Sequence, residues 1–328
     1  MKKNYKIAIF VPHKGCPHDC VFCNQRRITG QLEEMTAQKA EMIIEENLRH
    51  IEASKAPDAY VEIAFFGGSF TAIDSQKQTE LLSLAAGYVE AGRVNAIRCS
   101  TRPDAIDEEV IGRALHYHMT AIELGVQSAD DAVLRRCERG HSFEDVERAA
   151  ELIRSAGISL GLQMMTGLPG DTPEGSIETA KKIAALKPDC VRIYPTLVMD
   201  GTRLADMYRN GEYRAQPLEE AVQTVSRIIR IFEENNIEIL RIGLQTTDNV
   251  NEHTVVGPYH PAFAELCYGR IQRDRIEEQI CAVGLKNSIL EIPAPANMVS
   301  KILGHKKENA KYFMEKYNIE LKVRIIAE

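Results

Sequence analysis

No apolar run in this chain approaches the roughly 20 residues needed to cross a bilayer. The N-terminal MKKNYKIAIFVP carries lysines, but its apolar stretch is too short for a signal h-region and no small-residue cleavage site follows. These absences lead to the expectation of a soluble, cytoplasmic protein. A basic excess is missing too: 40 Lys and Arg stand against 47 Asp and Glu, a net charge of −7. That excludes a general nucleic-acid coat, so any such contact must come from local patches. No stretch has a disordered composition, and neither an internal repeat nor a long linker interrupts the chain. With 328 residues, 44% of them hydrophobic, there is material for one large α/β domain and a small appendage.

Eight cysteines are present and divide unevenly. Cys99, Cys137, Cys190, Cys267 and Cys281 are scattered singly, mostly in apolar segments, and read as small buried hydrophobes. Cys16, Cys20 and Cys23 sit within eight residues of one another, which in a reducing compartment points to metal rather than a disulfide.

Apolar, β-branched runs predict strands at Ile7–Pro12, Val61–Gly67, Ala96–Thr101, Thr120–Val126, Ser159–Thr166, Cys190–Thr196 and Glu238–Leu244. Amphipathic patterns between them predict helices at Ala37–Ser54, Gln76–Ala91, Glu108–Tyr117, Phe143–Ala156, Pro173–Leu186 and Leu218–Asn235. Ser75, Ser142 and Thr172 are the candidate caps. Near-continuous apolar strands alternating with helices imply a parallel sheet. Polar or glycine residues cluster at the C-terminal end of nearly every strand, where such sheets build their sites. The expected fold is α/β, a full or partial (β/α) barrel over 1–245. A loop-and-helix extension follows over 246–287, with a polar loop at Thr246–Pro261, and a β-α-α-β appendage over 288–328.

Directly after the first strand, Gly15-Cys16-Pro17-His18-Asp19-Cys20-Val21-Phe22-Cys23 has the spacing C-x3-C-x2-C. Three thiolates this close can hold one face of a cubane cluster and leave the fourth iron open to another ligand. Zinc, with His13 or His18 as the fourth ligand, is the alternative on spacing alone. An aromatic before the third cysteine, on the loop after a first α/β strand, favours the cluster.

That motif resembles the signature of the radical S-adenosylmethionine superfamily. The resemblance implies a 4Fe–4S cluster on Cys16, Cys20 and Cys23, and S-adenosylmethionine chelating the open iron through its amino-acid part. Reductive cleavage then yields a 5′-deoxyadenosyl radical, with electrons from an external flavodoxin- or ferredoxin-type donor. Phe65-Phe66-Gly67-Gly68-Ser69-Phe70 is similar to the superfamily's second-strand glycine motif. This assigns Gly67, Gly68 and Ser69 to the methionine amino group and Phe22 to the cofactor loop. By the same likeness Ser100 and Gln127 face the ribose, although many relatives have glutamate where Ser100 stands, and Arg139 pairs with the methionine carboxylate.

Within the superfamily the chain most resembles the radical domain of Elongator catalytic subunits. Ser100-Thr101-Arg102-Pro103-Asp104, Met164-Met165-Thr166-Gly167-Leu168-Pro169-Gly170 and Arg192-Ile193-Tyr194-Pro195-Thr196 carry the likeness over residues 7–245. It implies RNA, such as a tRNA base, as substrate. No R-x-x-G-x-G/A pyrophosphate loop occurs after residue 245, so acetyl-CoA-dependent carboxymethylation by this chain is not expected. In the appendage, Gly304-His305-Lys306-Lys307 between two helices resembles a minimal KH-type RNA-binding module, with Lys307 at the second glycine position. A plain cap with a basic turn is the competing account. Gln25-Arg26-Arg27 forms another basic spot. Radical chemistry on a small molecule, as in coproporphyrinogen oxidases, and cluster binding without turnover also stay open.

Overall fold

The computed structural model describes residues 3–11, 18–23, 34–54, 59–244 and 252–326. Seven strands form one sheet: β1 (Asn4–Phe10), β2 (Tyr60–Phe66), β3 (Ala96–Thr101), β4 (Met119–Gln127), β5 (Ser159–Thr166), β6 (Cys190–Pro195) and β8 (Glu238–Ile242). They pair in sequence order and every pairing is parallel. β1 and β8 are the free edges, so the sheet is an open half-barrel, the partial rather than the full form of the expected barrel.

Successive residues of each strand face opposite sides of the sheet. One face of the strands, with Ile7, Ile9, Ile63, Phe65, Ile97, Ile122, Leu160, Leu162 and Ile193 at 0–1% exposure, packs under helices. Each such side chain contributes about 1.5–3 kcal/mol by leaving water. The covering helices are α1 (Ala37–Ala53), α2 (Ser75–Glu90), α3 (Glu108–His116), α5 (Phe143–Ser155), α6 (Pro173–Ala185) and α8 (Leu218–Glu234). α5 starts with a capping box between Ser142 and Asp145, and α6 with Thr172 followed by Pro173. α2 is capped by Asp74 rather than by Ser75: the shorter-reaching serine lies inside the first turn, and the Asp74 carboxylate accepts from the N–H groups of Gln76 and Lys77.

Two helices escape the periodicity argument because they are too short to show a period, α4 (Asp131–Arg136) and α7 (Arg203–Arg209). The region expected to be loop contains β9 (Thr254–Val256), which pairs antiparallel with β7 (Val198–Met199). The boundary expected at 245 falls outside the described residues, as does the Gln25-Arg26-Arg27 spot.

α9 (Phe263–Val283) leads to the appendage: β10 (Ser288–Ala294), α10 (Val299–Leu303), α11 (Glu308–Tyr317) and β11 (Ile319–Ile325), with β10 and β11 parallel. It has its own core of Ile276, Ile280, Ala294, Ile302, Phe313, Ile319 and Leu321. Asn309 pins it to α9, its buried amide donating to the carbonyls of Gly269 at 2.8 Å, Ile302 at 3.1 Å and Lys301 at 3.4 Å. One cysteine departs from expectation. Cys281 is exposed near the end of α9, where its helix turns an edge toward solvent beside Tyr317.

Candidate cofactor site

The site lies at the C-terminal ends of β1 to β5. Cys16 and His13 fall outside the described residues; Cys20 and Cys23 are within them. The Cys23 N–H donates to the Cys20 carbonyl at 2.9 Å, closing a tight turn between the two cysteines. Val21 anchors the turn on both sides: its N–H donates to the Cys137 carbonyl, and its carbonyl accepts from the Leu204 N–H. Its side chain packs with Val133, Cys137 and Leu168. Phe22 is half-buried between that cluster and the one formed by Val198, Leu204 and Tyr213. The two short helices therefore have a clear task, to clamp the cysteine loop.

Arg139 stands over this turn. It is 8% exposed, donates from Nη2 to the Gly125 carbonyl at 2.9 Å, and places Nη1 3.6 Å from Cys20 Sγ. A guanidinium at that distance can donate a hydrogen bond to the sulfur. Cys137 has the opposite setting: burial pushes its thiol up to about 12, so it stays protonated and does not compete as a ligand. Behind Arg139, Arg102 grips Asp104 with two hydrogen bonds of 2.9 and 3.0 Å and donates to the Arg139 carbonyl.

Backbone shape is equally specific. Gly67 has φ +109°, and a Cβ there would lie 2.9 Å from the Val11 carbonyl oxygen. Gly68 follows it half-exposed, and Ser69 is buried at 2%. A β-bulge in β4 between Gly125 and Gln127 turns Gln127 to φ +68°, a left-handed conformation costly for a non-glycine residue. Gly125 makes room for both neighbours, since a Cβ there would lie 2.8 Å from Arg139 Nη2 and from Gln127 Nε2. Ser100 is half-buried on the inner wall and accepts from Gln163 Nε2 at 3.3 Å.

Gly67 to Ser69, Gln127, Arg139, Cys20 and Cys23 thus come together at one end of the half-barrel, with Phe22 behind the loop and Ser100 further down the wall. Gly125, Gly140 and Gln163 were given no role by the sequence reading. A glycine inside a strand, as at Gly125, is the signal that was available.

Among the described residues, three buried polar atoms here have no partner: Arg139 Nε, Arg102 Nη1 and His141 Nδ1. Burial, then the charge of Arg139, pushes the His141 imidazole down to about 4. Its Nε2 lies 3.3 Å from the Val126 carbonyl, so that nitrogen carries the proton and Nδ1 is a bare acceptor. Unsatisfied donors on two guanidiniums, one of which reaches Cys20 Sγ, suit a carboxylate-bearing cofactor next to the cysteine turn, and the site fits the group expected from the sequence.

A model of the radical SAM superfamily matches residues 10–183, and one of the radical SAM C-terminal domain matches residues 188–273. A tRNA uridine(34) acetyltransferase of Methanocaldococcus jannaschii is 29% identical over 258 residues, covering 67% of this chain and 47% of that protein. An uncharacterised protein of the same organism is 29% identical over 272 residues, covering 79% of this chain and 81% of its own. The solved structure of the archaeal Elp3 of Methanocaldococcus infernus, with its N-terminus deleted, matches with a TM-score of 0.66 at 25% identity. That match covers 87% of this chain and 64% of the solved one. The chain spans about half the length of the tRNA uridine(34) acetyltransferases it matches. With the superfamily match running through more than half of its residues and over this cradle, the chain belongs to the radical SAM superfamily, enzymes that use a 4Fe–4S cluster and S-adenosylmethionine.

Proposed function

We propose that this enzyme modifies RNA, with a tRNA base as its target. The observation that carries the reading is the 29% identity, over most of the barrel, to a protein named as a tRNA uridine(34) acetyltransferase. Cys16, Cys20 and Cys23 hold the cluster, and Phe22 packs the loop that presents them. Gly67, Gly68 and Ser69 receive the methionine amino group, which approaches closely because Gly67 has no side chain. Arg139 pairs with the methionine carboxylate, while Gln127 and Ser100 face the ribose. Bound there, cluster and cofactor supply one-electron chemistry that removes a hydrogen atom from a substrate. The protein's own part is positional. Arg102 braces Arg139 through its backbone, and neutral His141 leaves the positive charge to the guanidiniums. Apolar packing around Val21 and Phe22 keeps water from the cysteine turn. Residues 1–245 form the catalytic barrel, 246–287 the extension and 288–328 the RNA-facing appendage. Electrons come from a flavodoxin- or ferredoxin-type donor in the cytoplasm.

Mass spectrometry of total tRNA nucleosides from cells with and without the gene tests this reading. One modified nucleoside should disappear in the deletion strain and return with the parent gene, but not with Cys20→Ala. Identical nucleoside profiles would overturn it.

A further inference from the structure

The inner wall of the half-barrel, where a packed apolar core is the rule for a closed barrel, is charged. Glu123 on β4 is 1% exposed and accepts four hydrogen bonds. They come from Arg98 Nη1 at 2.7 Å, Arg192 Nε at 2.6 Å, Arg192 Nη2 at 3.0 Å and Gln163 Nε2 at 3.0 Å. Burial works to raise its pKa, but Arg192 and Arg98 prevail and hold the carboxyl below the ordinary range. Glu123 is therefore ionised and acts only as an acceptor.

This settles which way the Gln163 amide faces. A carboxylate cannot donate, so Gln163 must turn its NH2 to Glu123, and the same nitrogen lies 3.3 Å from Ser100 Oγ. Both N–H groups are then engaged by Glu123 and Ser100, and because Gln163 is only half-buried, Oε1 is the end of the amide left to meet a ligand. Among the described residues no donor reaches Oε1. In register, Gln163 lies between Gly125, which has no side chain to cover it, and Arg192. The Arg192 guanidinium is 5.9 Å from the Phe66 ring centre, and Phe66 and Tyr194 are both half-buried on this wall. An oriented acceptor, in register with Gly125 on the neighbouring strand, thus shares this wall with two half-buried aromatic rings.

We propose that Gln163 is a specificity-determining residue whose Oε1 accepts a hydrogen bond from the ring N–H of a planar imide or lactam base, the group that uracil and guanine carry and cytosine and adenine lack. The proposal rests on the RNA reading above and names the substrate chemistry of the same site. Glu123 and its two arginines act through Gln163: they lock the amide so that it accepts and cannot donate. A ring presenting a bare nitrogen at that place would leave two acceptors facing each other, which is how a buried polar site rejects the wrong partner.

The test uses reconstituted enzyme with S-adenosylmethionine under anaerobic conditions, and RNA stem-loops differing only at the first anticodon base: uridine, guanosine, cytidine or 3-methyluridine. Equilibrium binding should favour uridine or guanosine over cytidine by about five- to tenfold, one neutral hydrogen bond in a partly buried site. Methylating N3 of uridine should cost the same factor, and Gln163→Leu should remove the difference between uridine and 3-methyluridine. The uridine and guanosine arms say which base Gln163 reads. The methylated arm needs no mutant, so a Gln163→Leu protein that fails to fold leaves the test intact. Equal binding of all four stem-loops by the parent overturns the assignment of Gln163 and leaves the RNA reading standing. Binding of none of them overturns both.

Discussion

Gly140 shows how one missing methyl group can hold a metal loop in place. Its φ is +76°, and a Cβ there would lie 2.2 Å from two ring atoms of His18, which sits inside the cysteine motif. The ring rests on bare backbone, and Gly140 in turn follows Arg139. Gly140→Ala should therefore displace His18 and yield protein with markedly fewer irons per chain after reconstitution. Gly87 is the internal control: it lies in α2 with nothing near its Cβ position, so Gly87→Ala should retain iron and gain about 0.4–1 kcal/mol. Full iron loading in Gly140→Ala would show that the loop finds its place without that contact.

His141 makes a separate prediction about pH. Its folded pKa of about 4 lies below the ordinary value near 6.5. Above 6.5 neither the folded nor the unfolded imidazole is charged, and the contribution to stability is complete. As pH falls from about 6.5 to about 4, the unfolded chain takes up a proton that the folded site refuses. Stability is lost through that window, by about 3 kcal/mol. Urea unfolding at several pH values should show a shallower loss for His141→Gln than for the parent. Parallel curves would mean that the buried imidazole titrates normally.

At the scale of elements, the joint between barrel and appendage rests on the Asn309 amide. Its three carbonyl partners come from α9 and from α10, so one side chain ties two helices to the start of a third. Asn309→Ala strands those buried carbonyls and should cost about 2–3 kcal/mol. Hydrogen exchange should rise over 288–326 while the amides of β2 to β6 keep their protection; uniform protection would assign the tie elsewhere. The neighbouring turn presents Lys306 and Lys307, both exposed and both at positive φ. Lys307 thus takes at +62° the conformation that a glycine would favour in a Gly-x-x-Gly loop. Changing both lysines to Glu should weaken tRNA binding at low salt and flatten its salt dependence by about two units or less. Unchanged binding makes the appendage a cap.

For the molecule as a whole, the regular elements were legible and the long-range ones were not. β3 and β5 have the bounds expected from their apolar runs, because burial on a period of two is written locally. The β7–β9 pair was not legible: two and three residues pair across more than fifty, and nothing local marks them. The same holds for the site. Cysteine spacing and glycine pairs announce themselves in a linear chain. Gln163 reads as an ordinary strand residue until Glu123, forty positions earlier, fixes its amide. The exposure of Cys281 has a similar origin, since a helix end looks apolar in sequence whether or not a neighbour covers it.

β1 and β8 are the first and last of the seven strands in the sheet and are not paired with each other. A closed barrel can be entered only along its axis, as a needle is threaded from its tip. A trough can be loaded from the flank, and a long polymer can then lower a single residue into it while the chain continues outward on either hand. A catalyst of that shape has no need of a terminus. On the RNA reading proposed above, it can act in the middle of a folded loop, and a circularised RNA should serve it as well as a linear one.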